Sequence, residues 1–204
     1  PQSLPSIKHY IDASLLGAYT VAAGDWDNDG DYDVVAGSNT ANDIVLYTND
    51  LQFTGSWLKS TIDANMSYPY WLLLQQMDTD NRLEVVCAAG NQVAIYDYLD
   101  TMTSWNKIVV DLTLPYAYSI TAADLDNEGD MDLAAMSWTQ GDLVWYEHQG
   151  TVWERHLVDG NAAFSGAPPV HLAGLRAGFL HPPAAEGQGS RHWRTLQRRR
   201  HPAL

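Results

Sequence analysis

The sequence predicts an all-β fold built from a repeated four-stranded unit, and three observations carry that prediction. Apolar residues come in short runs, rich in β-branched and aromatic types and bounded by Gly, Asn and Asp. No segment sustains an apolar stripe at helical spacing. An acidic loop recurs three times, as Asp25-Trp-Asp-Asn-Asp-Gly-Asp-Tyr-Asp33, Asp78-Thr-Asp-Asn-Arg-Leu-Glu84 and Asp124-Leu-Asp-Asn-Glu-Gly-Asp-Met-Asp132. The first aspartates are 78 − 25 = 53 and 124 − 78 = 46 residues apart.

The elements between the loops repeat in the same order. Each loop runs into an apolar stretch: Val34-Val-Ala-Gly, Val85-Val-Cys-Ala-Ala-Gly, Leu133-Ala-Ala-Met. A second run follows at Ile44–Tyr47, Val93–Tyr96 and Leu143–Tyr146. A third opens on tryptophan, at Trp57–Ile62, Trp105–Val110 and Trp153–Val158, and those tryptophans read as core or contact residues between units. A fourth leads into the next loop, as in Trp71-Leu-Leu-Leu and Tyr118–Ala123. Four strands in about 50 residues is the pattern of a β-propeller blade. Lys8-His-Tyr-Ile-Asp12 fits the third run of a blade whose start is missing. The chain thus reads as three to four blades of a partial ring.

Charge divides the chain at about residue 160. Overall there are 25 acidic and 11 basic residues, a formal charge of −14. Residues 1–160 hold 24 acids and five bases, giving −19, whereas 161–204 hold Glu186 and six arginines, giving +5. The first segment is read as about three blades. The second fits either a degenerate fourth blade or a basic tail read out of frame, since His171-Leu-Ala-Gly-Leu-Arg176 has lost the carboxylates due there and Pro182-Pro183 follow.

The acidity argues against a nucleic-acid partner, which Lys and Arg clusters would have to hold. No apolar run is long enough for a membrane helix. Cys87 is the single cysteine, so no intrachain disulfide or thiolate cluster can form, and its apolar strand makes an inert thiol. The chain opens at Pro1 without a leader pattern and reads as a processed product or a piece of a longer one.

Acids at positions 1, 3, 5 and 9 with Gly at 6 suit a hard cation such as Ca2+, which takes six to eight oxygens. The first site would use Asp25, Asp27, Asp29 and Asp33 with the carbonyl of Asp31; the third, Asp124, Asp126, Glu128 and Asp132 with the carbonyl of Asp130. Gly30 and Gly129 permit the sharp turn. An EF-hand is excluded, because its position 12 falls on Ala36 and Ala135. The competing reading is a metal-free acidic turn. The second loop reads as two residues shorter, without the glycine. There Arg82 among the acids suggests a guanidinium acting as internal countercharge instead of a metal.

On these residues the sequence resembles the VCBS/FG-GAP repeat family of integrin-α-like β-propellers. The matches are Asp-x-Asp-x-Asp-Gly-x-x-Asp-Val at 25–34, Asp-x-Asp-x-Glu-Gly-x-x-Asp-Leu at 124–133, and Val144-Trp-Tyr-Glu-His148 followed by Trp153–Val158. The resemblance covers about residues 8–160. It implies a ring of seven or eight blades, calcium on the loops entering the innermost strands, and an exported or cell-surface protein. It also implies two roles: a binding or adhesion module for carbohydrate or protein, or part of a polysaccharide-active enzyme of the lyase kind.

Counting back from each loop puts Tyr70, Trp71, Tyr116 and Tyr118 on equivalent connections, with Tyr19 matching Tyr118. Such aromatics either stack on a ligand at the propeller face or pack blade on blade. Catalytic residues do not assemble: His156 sits in a strand beside Arg155, and no other histidine or serine has a partner in sequence.

Overall fold

The computed structural model describes residues 8–100 and 104–160. Twelve strands form three antiparallel sheets of four among these residues, without helices. The first sheet is β1 (Ala18–Gly24), β2 (Asp33–Ser38), β3 (Asp43–Asp50) and β4 (Ser56–Asp63). The second is β5 (Pro69–Gln75), β6 (Glu84–Ala89), β7 (Gln92–Leu99) and β8 (Ser104–Asp111). The third is β9 (Ala117–Ala123), β10 (Asp132–Ser137), β11 (Leu143–Gln149) and β12 (Val152–Asp159). Each sheet is an up-and-down meander, so the blade-like unit expected from the repeats is present three times. No ring closes among the described residues. The expectation for 161–204 falls outside them.

The third strands, Ile44–Tyr47 and Val93–Tyr96, are uniformly apolar because they are covered on both faces. The fourth strands are mostly exposed, which marks them as outer edges. First strands lie innermost, β1 beside β5 and β5 beside β9. The apolar cores lie between sheets rather than within them. Val35, Ile44, Met66, Leu72, Val85 and Tyr96 fill the space between the first and second sheets. Val86, Ile95, Leu114, Ile120, Leu133 and Tyr146 fill that between the second and third. Trp57, Trp105 and Trp153 each pack at the margin of one cluster, the contact role their recurrence suggests.

A polar clasp repeats at each junction. Tyr96 donates its hydroxyl to Asp63 of the preceding sheet at 2.7 Å, and Lys107 Nζ joins the same oxygen at 3.0 Å. Tyr146 donates to Asp111 at 2.7 Å, joined by Arg155 Nε at 3.2 Å. Burial raises both tyrosine hydroxyls above the ordinary range, and it acts on the two aspartates in the same upward direction. Those carboxyls nonetheless end below the ordinary range, held there by Tyr96 and Tyr146 together with backbone and basic donors. Asp12 completes the series by accepting from Tyr47 at 2.7 Å and Lys59 at 2.8 Å. Lys8–Asp12 therefore forms no strand, contrary to the expectation of a third run. It lies against the first sheet and delivers only the terminal aspartate of the motif.

Candidate functional site

Each acidic loop joins a first strand to a second strand, so all three emerge at the same end of the sheets. Local hydrogen bonding sets their shape. Asp25 accepts from the N–H groups of Asp29 (3.0 Å) and Gly30 (3.1 Å). Asp124 does the same for Glu128 (3.1 Å) and Gly129 (3.2 Å). Both loops pass through left-handed backbone at Asn28 and Gly30, and at Asn127 and Gly129. Asparagine and glycine tolerate that conformation with least penalty. Both glycines have φ of +99°, outside the region open to most side chains.

The ninth-position acids are fully buried and act as buttresses. Asp33 accepts from Trp26 N–H and Asn49 N–H, each at 2.8 Å. Asp132 accepts from Leu125 N–H at 3.0 Å and His148 N–H at 2.8 Å. Three acids converge in each loop: Asp25, Asp27 and Asp29 in the first bring one carboxylate oxygen each within 4.8 Å of one another, as do Asp124, Asp126 and the ninth-position Asp132 in the third. Glu128 is exposed and outside that second set, and Asp31 and Asp130 are outside both. Asp130 instead lies 3.8 Å from His148 Nδ1, whose ring stacks on Trp153.

One carboxylate oxygen each of Asp27, Asp31 and Asp130 is buried with no hydrogen-bond donor. A buried unpaired anionic oxygen is costly. Desolvation, then repulsion from neighbouring aspartates, raises the carboxyls of Asp27 and Asp31; desolvation likewise raises Asp126. The two loops are charge-rich oxygen clusters short of donors, and that donor set fits Ca2+. Asp25, Asp27, Asp29, Asp124, Asp126 and Asp132 are the side chains that would hold such a cation.

The second loop corrects the sequence reading. Met77 N–H donates to Glu84 at 2.5 Å, the bond made by Trp26 to Asp33 and by Leu125 to Asp132. Glu84 − Met77 equals Asp33 − Trp26, seven residues, so the loop is not shorter. Gln76 stands at the first position, Asp78 at the third, and Arg82 where the other loops have Asp31 and Asp130. The Gln76 amide donates to the Asp80 carbonyl (3.0 Å), to the Asp78 carbonyl (3.1 Å) and to Asp78 Oδ1 (3.5 Å). Arg82 does not neutralise this loop as expected. Its Nε pairs with Asp100 at 2.9 Å, and its guanidinium lies over Trp26 at 4.5 Å and Tyr98 at 5.2 Å. The internal donor is a neutral amide. Thr79 and Asn81 lack the left-handed turns of the other two loops. Asp78, Asp80, Glu84 and Asp97 still converge, and burial pushes the Glu84 carboxyl up to about 7.

Realigned in this way, Tyr19, Tyr70 and Tyr118 all stand six residues before the loop's first position. Each is the extra residue of a bulge in its first strand. A bulge re-aims the side chain out of the alternating pattern. The three rings meet: Tyr70 is 5.3 Å from Tyr118 and 5.8 Å from Tyr19, whose hydroxyl is 2.9 Å from that of Tyr118. Tyr116 joins them, 6.4 Å from Tyr70, and so does Tyr68, 6.1 Å from Tyr70, which the sequence reading did not select. Trp71 does not belong to this group. It is part-buried against the apolar cluster between the second and third sheets. Tyr70, Trp71 and Tyr118 lie in strands, not on connections, and only Tyr116 precedes one. The aromatic group sits at the end of the sheets opposite the acidic loops.

No curated protein matches the chain. Residues 77–135, which take in the second acidic loop from its second position and the whole of the third, match the family model of the FG-GAP-like repeat, the resemblance that the loops carry.

Proposed function

We propose that the chain is a calcium-organised β-propeller segment of an exported or cell-surface protein, serving as a binding module for carbohydrate or protein. The observation supporting this most directly is the convergence of three carboxylates in each of the matched loops, Asp25, Asp27 and Asp29 in one and Asp124, Asp126 and Asp132 in the other. When bound, calcium supplies the positive charge those carboxylates lack. The loops themselves fix the approach of first strand to second through Asp25, Asp33, Asp124 and Asp132. The role assigned to the metal is therefore structural. Loop 25–33 also holds Trp26 against the second sheet, where the Trp26 carbonyl accepts from Leu83 N–H at 3.0 Å. Order in that loop thus reaches a junction between sheets.

The test is a thermal melt of the full chain in chelator, Ca2+ and Mg2+. A calcium-specific rise in midpoint, reduced in Asp27→Ala and again in Asp126→Ala, is expected. A cooperative melt that does not move with calcium refutes the metal assignment.

A further inference from the structure

Tyr68 and Tyr116 hold left-handed backbone, with φ of 52° and 47°, immediately before their first strands. The matching residue before β1 is Gly17, at φ 67°. A bulky aromatic is strained in this conformation, and a glycine is not. The strain is supported locally, since Asn42 and Asn91 accept the N–H groups of Tyr68 (3.4 Å) and Tyr116 (3.3 Å). The two rings lie nearly parallel to Tyr70, at interplanar angles of 17° and 23°, and Trp138 continues the row 5.3 Å beyond Tyr118. Tyr19, Tyr68 and Tyr116 are each about half exposed, so the row is a pavement and not a core.

The surroundings of this pavement define its ligand. Connections 39–42, 64–68, 90–91, 112–116 and 138–142 hold no Lys, Arg or His, and Asp142 is their one carboxylate. Their polar side chains are amides and hydroxyls, among them Asn65, Asn91, Thr139 and Gln140, all exposed. On a chain of charge −14 these five connections together carry a single formal charge. An anionic ligand would find no cation on these connections. Asp63 and Asp111 at the adjoining strand ends are already paired with Lys107 and Arg155, which leaves Asp43, Asp142 and Asp159 as carboxylates without a basic partner among the described residues. Amides and hydroxyls both donate and accept, which matches a ligand of many hydroxyls, and tyrosine faces match the apolar side of a pyranose ring.

We infer that the tyrosine pavement, centred on Tyr70 and bounded by Tyr68, Tyr116 and Trp138, is a binding site for a neutral oligosaccharide. This deepens the binding-module reading and rests on it, but it does not depend on calcium in the loops at the far end.

The full chain is tested by affinity electrophoresis through gels containing mannan, laminarin or xyloglucan, with polygalacturonate and polylysine as charged comparisons, in calcium and in chelator. Retention by at least one neutral polysaccharide is expected. It should weaken about tenfold or more in Tyr68→Gly and Tyr116→Gly, the loss of one stacking ring. Because glycine relieves the backbone strain, both variants should keep or raise the melting midpoint and keep its calcium response. That separates a binding defect from a folding or metal defect. Retention by the charged polymers alone, retention undiminished in both variants, or no retention by any neutral polysaccharide overturns the inference. Capture of a peptide ligand in place of glycan overturns it as well.

Discussion

Replacing Tyr146 by Phe removes one hydroxyl from the clasp between the second and third sheets. The ring is 1% exposed, so its environment is dry. Its hydroxyl donates to a carboxylate, Asp111, which retains Thr113 N–H at 2.6 Å, Thr113 Oγ1 at 2.7 Å and Arg155 Nε at 3.2 Å. The variant therefore loses one charge-assisted hydrogen bond without leaving the acid unpaired, a cost of about 2 kcal/mol. In a domain of this size that lowers the midpoint by about 4–8 °C. Asp111→Ala should cost more, about 3–5 kcal/mol, because it orphans both the buried hydroxyl and Arg155. Tyr47→Phe should cost least, since Asp12 and Lys59 are more exposed and screened by water. The assay is urea unfolding of the three variants and of Tyr146→Phe combined with Asp111→Ala. A coupling energy of zero between the two sites, or a larger loss for Tyr47→Phe than for Tyr146→Phe, would refute the clasp as a source of stability.

Gln76→Asp should convert the second loop toward its neighbours. Without the amide donor it melts lower in chelator than the parent, and added calcium restores more midpoint than in the parent; an unchanged calcium response counts against Gln76 as the internal donor. Glu84 is raised by burial to about 7 from an ordinary 4.5, so the folded state holds its proton more tightly than the unfolded state does. Its contribution is therefore fully present below about pH 4.5 and is lost as pH rises through 7, by at most about 3 kcal/mol. Glu84→Gln should remove that part of the decline, read as the difference between the two stability–pH curves. Gly17→Ala places a Cβ 2.1 Å from Thr40 Oγ1 on backbone at φ +67°. It should destabilise by about 2 kcal/mol or more, with partial recovery in Thr40→Gly; a neutral effect would mean that this turn is free to shift.

Strand identity was legible in the sequence because each strand is short, apolar and punctuated, and because it recurs three times in one order. The acidic loops were equally visible, since ligand spacing is a local property. The register of the second loop was not. Counting from the first aspartate assumed that an acid opens every copy, whereas the invariant feature is the buried ninth-position acid that caps a backbone N–H. Glu84 marks that position as Asp33 does, and a count back from it would have aligned Gln76 with Asp25. The same two-residue error displaced Tyr70 from Tyr19 and Tyr118 and admitted Trp71, which belongs to the interior. Tyr68 was missed for the same reason, since it stands eight residues before Gln76 as Tyr116 stands eight before Asp124. Its left-handed backbone, shared with Tyr116 and Gly17, was not visible in the sequence. The direction of Arg82 was also hidden, since its partners Trp26, Tyr98 and Asp100 come from two sheets.

The clasps have a further consequence, for how such a chain can be lengthened. Each joint has an acceptor side, the aspartate ending one outer strand, and a donor side, the tyrosine and base of the next sheet. Asp12, Asp63, Asp111 and Asp159 recur at intervals of 51, 48 and 48 residues, so the segment that travels as a module runs from one of these aspartates to the next. Its boundaries fall at the end of the outermost strand. A duplication cut there carries both halves of a joint in phase, whereas one cut at the inner strand separates acceptor from connecting turn. Asp159 is exposed and has no side-chain hydrogen bond among the described residues. It offers a ready coupling point to any following module that brings a tyrosine and a base.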